Sequence, residues 1–300
     1  MSPQPQVMAA TGARRALSDE PADNPVNRSE PAIPTPLARP TRLEFRQVSR
    51  RFLPPAGKRG AIVTAVDNLS FAIRQGEVVS IVGPRGCGKS TLLNMASGLA
   101  APSAGTVLVD GARVEGPNQH IAFMLQKDLL LPWRTIRENI EFGMEIQGVA
   151  AAERRHRALD WLQRCRIAEF ADKYPSALSG GMRQRAALAR TLVTNPSVLM
   201  LDEPVSALDA QTKMVLQENL AQMLREADMT ALFITHDLAE AAVLSDRVLV
   251  MSPRPGTLIA EITLDLPPRA SPMQRRRESG LTHYVAAMMA LLHIGEEAPH

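Results

Sequence analysis

The sequence predicts an α/β fold, in which a core sheet is accompanied by an antiparallel β subdomain and an inserted α-helical subdomain. Short apolar strands alternate with helical stretches, and several strands end in a polar residue, as at Gln126, Asp202 and His236. A glycine-rich turn joins one strand directly to a helix near residue 83. In the stretch 127–178, helical periodicity replaces the strands. Polar residues at the carboxyl ends of strands predict a ligand site at that edge of the sheet.

Size and composition limit the class of protein. The chain has 300 residues, of which 45% are apolar, and a formal net charge of +3. This is enough for a proper core, and so small a basic excess does not require nucleic acid as a partner. Two cysteines without a CxxC spacing suit a reducing compartment. We predict no membrane span and no secretory signal, because no apolar run is long enough and Arg14-Arg15 is not followed by one.

The chain begins with a proline-rich stretch, residues 1–40, that we predict to be disordered. LEFRQVSRRF, from Leu43 to Phe52, alternates like a half-exposed strand, and AVDNLSFAI is a second strand that we expect to pair with it in antiparallel orientation. Phe52 lies at the end of the first strand, just before a proline and glycine loop. It is either an aromatic that stacks on an adenine base or a core aromatic.

The most informative stretch is VVSIVGPRGCGKSTLL, from Val78 to Leu93. A buried strand is followed by the pattern G-x-x-x-x-G-K-[ST] and the start of a helix, which is the P-loop of nucleoside triphosphatases with a RecA-like core. Its glycines allow the backbone N–H groups to wrap a phosphate. Lys89 would reach the β- and γ-phosphates, and the Ser90 hydroxyl would ligate Mg²⁺. The predicted phosphate-binding residues are Gly83, Pro84, Arg85, Gly86, Cys87, Gly88, Lys89, Ser90 and Thr91.

Two later strands carry acid–base candidates at their ends. VLMLDEP ends in Asp202 and Glu203, and ALFITHD ends near His236. A carboxylate at the end of a buried strand needs a strong partner, and the Mg²⁺ held by Ser90 would provide it for Asp202. Glu203, which strand alternation would point to the other face, is suitably placed to orient or deprotonate an attacking water. His236 would hydrogen-bond the γ-phosphate, although a lone histidine is more often structural.

Taken together, these motifs resemble those of an ABC-transporter ATPase. GPRGCGKST, Gln126 after an apolar strand, LSGGMRQR, VLMLDEP, SALD and ITHD occur in that family's order, over about Leu43 to Leu264. LSGG is the most specific element, and its Ser179 and two glycines form a second glycine-rich helix start, which is an anion site that one P-loop does not need. The resemblance implies that ATP and Mg²⁺ are bound within a domain spanning 41–265.

The family also implies a role for each matching residue. The LSGG residues would bind the γ-phosphate of ATP held by the opposite subunit, so two chains would sandwich two ATP molecules in a homodimer. Gln126 would sense the nucleotide and its metal and link them to the helical subdomain, Asp209 would contact the other subunit, His236 would hold the γ-phosphate and Phe52 would stack on adenine. The residues carried over are Phe52, Gln126, Ser179, Gly180, Gly181, Asp202, Glu203, Asp209 and His236.

A segment directly after Gln126 indicates what the ATPase drives. LLLPWRTIRENI, from Leu129 to Ile140, looks like the permease-facing segment of importers. With HDLAEAAVLSDRVLVMSPRPG, it is similar to the nitrate/sulfonate/taurine branch. The resemblance implies integral-membrane permease subunits, an extracytoplasmic solute-binding protein and a place on the cytoplasmic face of the membrane. Trp133 is equally compatible with a core position in the helical subdomain.

The last residues, 266–300, form a tail outside the motifs. SPMQRRRESG is expected to loop out with a solvated run from Arg275 to Arg277, and LTHYVAAMMALLHI is expected to form a helix that packs on the domain. Three alternatives to an importer ATPase remain at this stage. They are a soluble ABC-type ATPase acting on nucleic acid or ribosomes, an exporter ATPase, and a P-loop kinase, which would leave LSGG unexplained.

Overall fold

The computed structural model describes residues 39–54, 61–204, 209–267 and 271–294. The disordered extension predicted for 1–40 falls almost entirely outside these ranges, as do Ser206, Ala207 and Leu208 of the SALD motif. The described chain contains two sheets and helices on both sides of the larger one. The predicted α/β class with an antiparallel sheet is confirmed, while the domain boundaries stay predictions.

The smaller sheet is antiparallel and four-stranded, in the order β2-β1-β4-β5. Its strands are β1 (Thr41–Phe52), β2 (Val63–Arg74), β4 (Ala104–Val109) and β5 (Ala112–Arg113). Apolar side chains alternate along β1 and β2, and Phe45 stacks on Phe71 with ring centroids 4.6 Å apart. This alternation buries one face of the sheet against the rest of the chain, as the pairing predicted from the sequence requires.

The larger sheet is six-stranded, in the order β10-β9-β3-β8-β7-β6. All neighbouring pairs are parallel except β9 with β10. Its strands are β3 (Val78–Val82), β6 (Ile121–Met124), β7 (Val198–Asp202), β8 (Thr230–Ile234), β9 (Arg247–Met251) and β10 (Leu258–Thr263). The central strands β3 and β8 are buried along their whole length because helices or the small sheet cover both of their faces.

The helices divide between the two faces of this sheet. They are α1 (Lys89–Ala96), α2 (Ile136–Ile146), α3 (Ala151–Arg164), α4 (Gly180–Leu192), α5 (Ala210–Glu226), α6 (Leu238–Leu244), α7 (Pro272–Arg275) and α8 (Ser279–Leu291). Alternate residues of β7 show the division, because Val198 and Met200 pack with α1 and the small sheet, whereas Leu199 and Leu201 pack with α2, α4 and α5. In the described part of the chain, no helix is long and apolar enough to cross a membrane.

The C-terminal tail corrects one expectation. The stretch predicted to loop out contains the short helix α7, and Arg275 is only 2% exposed. The run from Arg275 to Arg277 is therefore not a solvated face, although Arg277 itself is exposed. The predicted terminal helix is present as α8, and it packs on α6 and β9 through Met288.

Candidate nucleotide-binding and hydrolysis site

The predicted site residues meet because five parallel strands end at one edge of the large sheet. The P-loop follows β3, Gln126 follows β6, Asp202 ends β7 and Glu203 follows it, and His236 follows β8. The loop after β9 reaches the same edge. The carboxyl edge of a parallel sheet is the usual place for a ligand, since connecting helices start there with their N–H groups facing outward.

The P-loop adopts a conformation that requires its glycines. Gly86 and Gly88 have φ angles of +78° and +107°, in the left-handed region that other residues avoid. A Cβ on Gly88 would lie 2.7 Å from Cγ2 of Val66 and 2.9 Å from the Ala65 carbonyl oxygen. The loop therefore packs closely on β2, and α1 begins directly after it at Lys89.

Lys89 is buried in the loop that it serves. Its Nζ donates hydrogen bonds to the carbonyl oxygens of Gly83 and Pro84, at 2.8 and 2.9 Å. Neutral carbonyl oxygens do not cancel the positive charge of an ammonium group, so this group can also attract an anion. The residues around it can therefore hold a phosphate group.

Ser90 and Asp202 form the second part of the site. The Ser90 hydroxyl donates to Oδ2 of Asp202 across 3.3 Å. Burial raises the pKa of Asp202, and the neighbouring Glu203 raises it further, while the Ser90 hydrogen bond and Lys89 oppose the shift. A half-buried carboxylate beside a hydroxyl is a suitable pair of oxygen ligands for a hard cation. Among the described residues, no group of three or more histidine, cysteine or acidic side chains is arranged to hold a metal ion by itself. The oxygen pair of Ser90 and Asp202 suits Mg²⁺, which takes few protein ligands together with phosphate and water oxygens.

Glu203 is the centre of a polar cluster that joins three strand ends. Its backbone has a φ of +49°, so strand alternation ends at Asp202, and its N–H donates to the Ile234 carbonyl at 2.9 Å. Nδ1 of His236 forms a 2.9 Å hydrogen bond with Oε1 of Glu203. Nε2 of Gln126 donates to Oε2 of Glu203 at 3.4 Å. Both carboxylates, Asp202 and Glu203, line the same cleft instead of facing opposite sides of the strand.

The cleft above the P-loop has a volume of about 500 Å³. Phe52 lines it, is 44% exposed and lies 5.0 Å beneath the guanidinium of Arg50, which rules out the core position considered for it from the sequence. The other lining residues are Val63, Ala65, Arg85, Gly86, Gly88, Lys89, Ser90, Thr91, Asp202, Glu203, Ile234 and Arg254. The cleft thus has one aromatic and aliphatic wall and one wall of phosphate-loop residues.

The LSGG residues lie at the start of α4. Ser179 caps α4 by accepting a hydrogen bond from the Met182 N–H at 3.4 Å, and Asp209 caps α5 in the same way through Thr212. A Cβ on Gly181 would lie 2.7 Å from Cγ2 of Thr212, so the two helix starts are adjacent. The hydrogen bonds that Asp209 accepts from Thr212 lower the pKa of Asp209. In the portion of the chain that the structure describes, the structure does not bring these caps into the P-loop cleft.

Residues that the sequence did not single out connect these two regions. Nε2 of Gln184 donates to the Gln126 carbonyl at 2.9 Å, and Arg183 pairs with Asp128 at 3.0 Å. Arg190 donates to the carbonyl of Asp128 at 2.7 Å and to that of Leu129 at 2.8 Å. The Gln126 segment is therefore bonded to the helix that begins with LSGG. The only sequence signal for Arg183, Gln184 and Arg190 was their place in the helix that follows LSGG.

Arg254 is another residue that the sequence analysis did not single out. Its guanidinium donates two hydrogen bonds to the Gly86 carbonyl, from Nε at 3.1 Å and Nη2 at 2.9 Å. The following Gly256 packs against the Cys87 carbonyl and donates to that of Ala65 at 3.0 Å. The loop after β9 therefore supports the P-loop. Its Pro-Arg-Pro-Gly sequence marks a turn but does not indicate what the arginine contacts.

The segment after Gln126 presents an exposed tryptophan. Trp133 is 71% exposed, so it is not the core aromatic that the sequence also allowed. The fully buried amide of Asn139 holds the backbone beneath it, accepting from the Leu131 N–H at 2.7 Å and donating to the carbonyls of Leu131, Arg134 and Thr135. A capping box between Thr135 and Glu138 starts α2 at this point.

The fold and the site define a P-loop ATPase with an ATP-binding cassette arrangement. A family model described as ABC transporter matches residues 66–206. The chain is 42% identical over 255 residues to the nitrate import ATP-binding protein NrtD of Synechocystis sp., covering 83% of this chain and 94% of that protein. It is 40% identical to the taurine import ATP-binding protein TauB of Rhizobium johnstonii, covering 81% and 90%.

A solved structure, the dimeric post-hydrolysis state of the ATP-binding cassette MJ0796 bound to ADP and Pi, is 31% identical and has a TM-score of 0.64. The structural match covers 74% of this chain and 98% of the MJ0796 chain. The chain therefore belongs to the ABC transporter family of ATP-binding proteins. Its enzymatic activity is the binding and hydrolysis of ATP.

Proposed function

We propose that this chain is the ATP-hydrolysing subunit of an importer for a small anion such as nitrate, a sulfonate or taurine. Two copies would work on the cytoplasmic face of the membrane, bound to separate integral-membrane permease subunits. An extracytoplasmic solute-binding protein would deliver the solute. The observation that carries this proposal is the cluster of Gln126, Glu203 and His236 beside the P-loop, because the chain continues from Gln126 into the segment that exposes Trp133.

Within one chain, the residues have complementary roles toward ATP. Phe52 would stack on the adenine, because it lies in the cleft wall on the side of the small sheet. The N–H groups of Gly83 to Thr91 would hold the phosphates, and Lys89 would exchange its carbonyl partners for phosphate oxygens. Glu203 would accept the proton of the attacking water, with His236 and Gln126 fixing its carboxylate.

Mg²⁺ fits the oxygen pair formed by Ser90 and Asp202. In that position it would neutralise phosphate charge and orient the γ-phosphate for attack. Gln126 is the third metal-ligand candidate, and its amide donates to Glu203 in this structure. Burial raises the pKa of Asp202, and a cation bound at this position would favour the ionised carboxylate.

A second copy would complete the site. Ser179 and Gly180 are exposed at the start of α4, where N–H groups are available to an anion. Since they do not line this chain's own cleft, we assign them to the γ-phosphate bound by the opposite copy. Asp209, which caps the adjacent helix α5, would contact that copy. The dimeric state of the MJ0796 cassette is consistent with this arrangement.

Closure of the dimer would reach the permease through the segment after Gln126. Gln126 bonds to Glu203 with its side chain and to α4 through its carbonyl. Asn139 then holds the loop that exposes Trp133. ATP hydrolysis by itself does not require an exposed tryptophan at this position. An exposed aromatic side chain is typical of a surface that binds a partner protein. The LPW sequence of this segment resembles the permease-facing segment of importers, and this favours the importer over a soluble or exporter ATPase.

The first experiment is recovery of the complex from its native membrane. The full chain, mildly solubilised with its partners and identified by mass spectrometry, should bring a multi-span permease. Trp133→Ala should reduce recovery of the permease about tenfold or more, because a buried aromatic anchor commonly contributes about 2 kcal/mol to an interface. ATP affinity of the isolated chain should not change.

The matched control is Ile259→Ala, an exposed apolar residue on β10 at the opposite edge of the large sheet. It should recover the permease as the wild type does. Ribosomal or nucleic-acid partners without a membrane protein would refute the importer proposal and favour a soluble ATPase. If Trp133→Ala retains full assembly, the coupling role of that segment is wrong.

A further inference from the structure

The C-terminal segment 271–277 is fixed to the ATPase core by a buried arginine. Arg275 donates to the carbonyl oxygens of Pro267 at 2.6 Å, Ala242 at 3.2 Å and Ser245 at 2.5 Å. Ala242 and Ser245 belong to the C-terminal end of α6, where unsatisfied carbonyls and the helix dipole favour a cation. This attachment brings the next residue, Arg276, over α5.

Arg276 controls the orientation of a buried amide. Its Nη2 donates to Oε1 of Gln217, which is completely buried on α5. Nε2 of Gln217 donates in turn to Oε1 of Glu240 at 2.8 Å. Only this orientation of the amide satisfies both neighbours, since the reverse would place NH₂ against a guanidinium and oxygen against a carboxylate.

Glu240 connects the Gln217 amide to the loop that carries His236. Its other oxygen, Oε2, accepts a hydrogen bond from the Thr235 hydroxyl, and that hydroxyl accepts one from the Asp237 N–H at 3.0 Å. Thr235 and Asp237 therefore bracket His236 from both sides. Lys213 of α5 completes the network, with Nζ 2.7 Å from Oδ2 of Asp237 and 3.7 Å from Oε1 of Glu240.

We propose that Arg276 and Glu240 are positioning residues for His236, acting through the chain Arg276–Gln217–Glu240–Thr235. The proposal rests on the proposed function, in which His236 fixes the carboxylate of Glu203. Glu240 is 2% exposed and Gln217 is fully buried, so solvent does not replace a bond that is lost in this chain. The tail of this ATPase thereby influences hydrolysis without touching the nucleotide.

The proposal predicts a specific kinetic signature. Without Arg276, the Gln217 amide loses the partner that fixes its orientation, and the loop around His236 is held less firmly. Nucleotide binding does not depend on this network, because the P-loop and α1 are held by β2 and by the loop after β9. We therefore expect kcat to fall while ATP affinity stays constant.

The test uses the full chain and its basal ATP hydrolysis, with ATP affinity, thermal stability and binding stoichiometry measured in parallel. Arg276→Ala should lower kcat about five- to tenfold, the effect of one buried hydrogen bond, with KM and Kd for ATP unchanged within about twofold. Arg276→Lys keeps a donor and should restore at least about half of the activity. The exposed neighbour Arg277 gives the matched control, and Arg277→Ala should behave as the wild type does.

His236→Ala separates this inference from the function on which it rests. If His236→Ala is inactive and Arg276→Ala has wild-type kcat, the positioning role is refuted and the proposed function stands. If His236→Ala is fully active, the assignment of His236 itself fails. A loss of kcat in Arg276→Ala that only follows a loss of folded protein, measured by ATP-binding stoichiometry, would also overturn the positioning role.

Discussion

At the scale of single residues, the site is organised by groups that lie far apart in the sequence. Gln126, Glu203 and His236 follow three different strands and meet at one carboxylate. Glu203 occupies the left-handed region of backbone space, which costs a residue with a side chain about 1 kcal/mol or more. Such a conformation directly after Asp202 turns the chain out of β7 while both carboxylates remain in the cleft.

Lys89 provides the clearest prediction at this scale. Lys89→Ala should lose ATP affinity about 100-fold or more, because it removes at least two charge-assisted hydrogen bonds to phosphate. Isothermal titration with ATP measures the effect. Lys173→Ala, which removes an exposed lysine, is the control and should leave the affinity unchanged. An unchanged affinity in Lys89→Ala would refute the phosphate-binding role of the loop.

Glu240 gives a prediction about pH. Burial is the largest cause that raises its pKa in the folded state, against hydrogen bonds from Thr235 and Gln217 and the charge of Lys213. As pH rises from the ordinary value of 4.5 toward the raised value, the unfolded chain releases the proton before the folded chain does, so the free energy of unfolding falls. Glu240→Gln has no ionisable group at this position. Its free energy of unfolding relative to that of the wild type should therefore increase over that pH interval. Urea unfolding from pH 4.5 upward measures the difference, and a difference independent of pH would contradict the argument.

At the scale of elements, the loop before α2 is built around one side chain. The amide of Asn139 uses its oxygen and its nitrogen on backbone groups of the stretch 131–135. Such a loop is rigid although it has no regular structure of its own. An exposed tryptophan held on a rigid loop loses little conformational entropy when a partner covers it.

Asn139→Ala tests this element. The substitution leaves a buried N–H and several carbonyl groups without their side-chain partner, and should lower the free energy of unfolding by about 2–4 kcal/mol. Chemical denaturation provides the measurement. Gln147→Ala, at the exposed end of α2, is the control and should change stability by less than about 0.5 kcal/mol. If the two variants are equally stable, Asn139 does not hold the loop.

At the scale of the whole molecule, one chain carries both surfaces that the proposed dimer would bring together. The P-loop cleft and the caps at Ser179 and Asp209 are separate surfaces of the same molecule. In the proposed assembly, pairing them head to tail between two copies would give a C₂ dimer with two equivalent sites. Binding of ATP would then favour the closed dimer, and hydrolysis would favour opening, which is a population shift that ATP controls.

Glu203→Gln should trap the closed dimer. The amide keeps the size of the side chain but cannot accept the proton, so turnover should fall about 100-fold or more while ATP still binds. Size-exclusion chromatography with ATP should show a dimer that the wild type does not accumulate. Glu169→Gln, at an exposed position, should hydrolyse ATP normally. Full activity in Glu203→Gln would remove this residue from the water-activating role.

The sequence alone was sufficient for the fold class, the P-loop and the order of the motifs. These features are local, since a buried strand, a glycine-rich turn and a helix start are encoded within about sixteen consecutive residues from Val78 to Leu93. Parallel strands then bring their ends together in any arrangement of this class. For that reason the strand-end residues Gln126, Glu203 and His236 could be found before their contacts were known.

Only the tertiary structure decided which side chains these residues contact and which surfaces stay open. It exposes Phe52 in the cleft and Trp133 on its loop, where the sequence allowed a core position for either. It also buries Arg275 and directs Arg276 to Gln217, 59 positions away, although the sequence suggested a solvated run. Periodicity reports which face of an element is apolar. The partner of a charged side chain depends instead on where distant elements pack, and burial makes that partner obligatory.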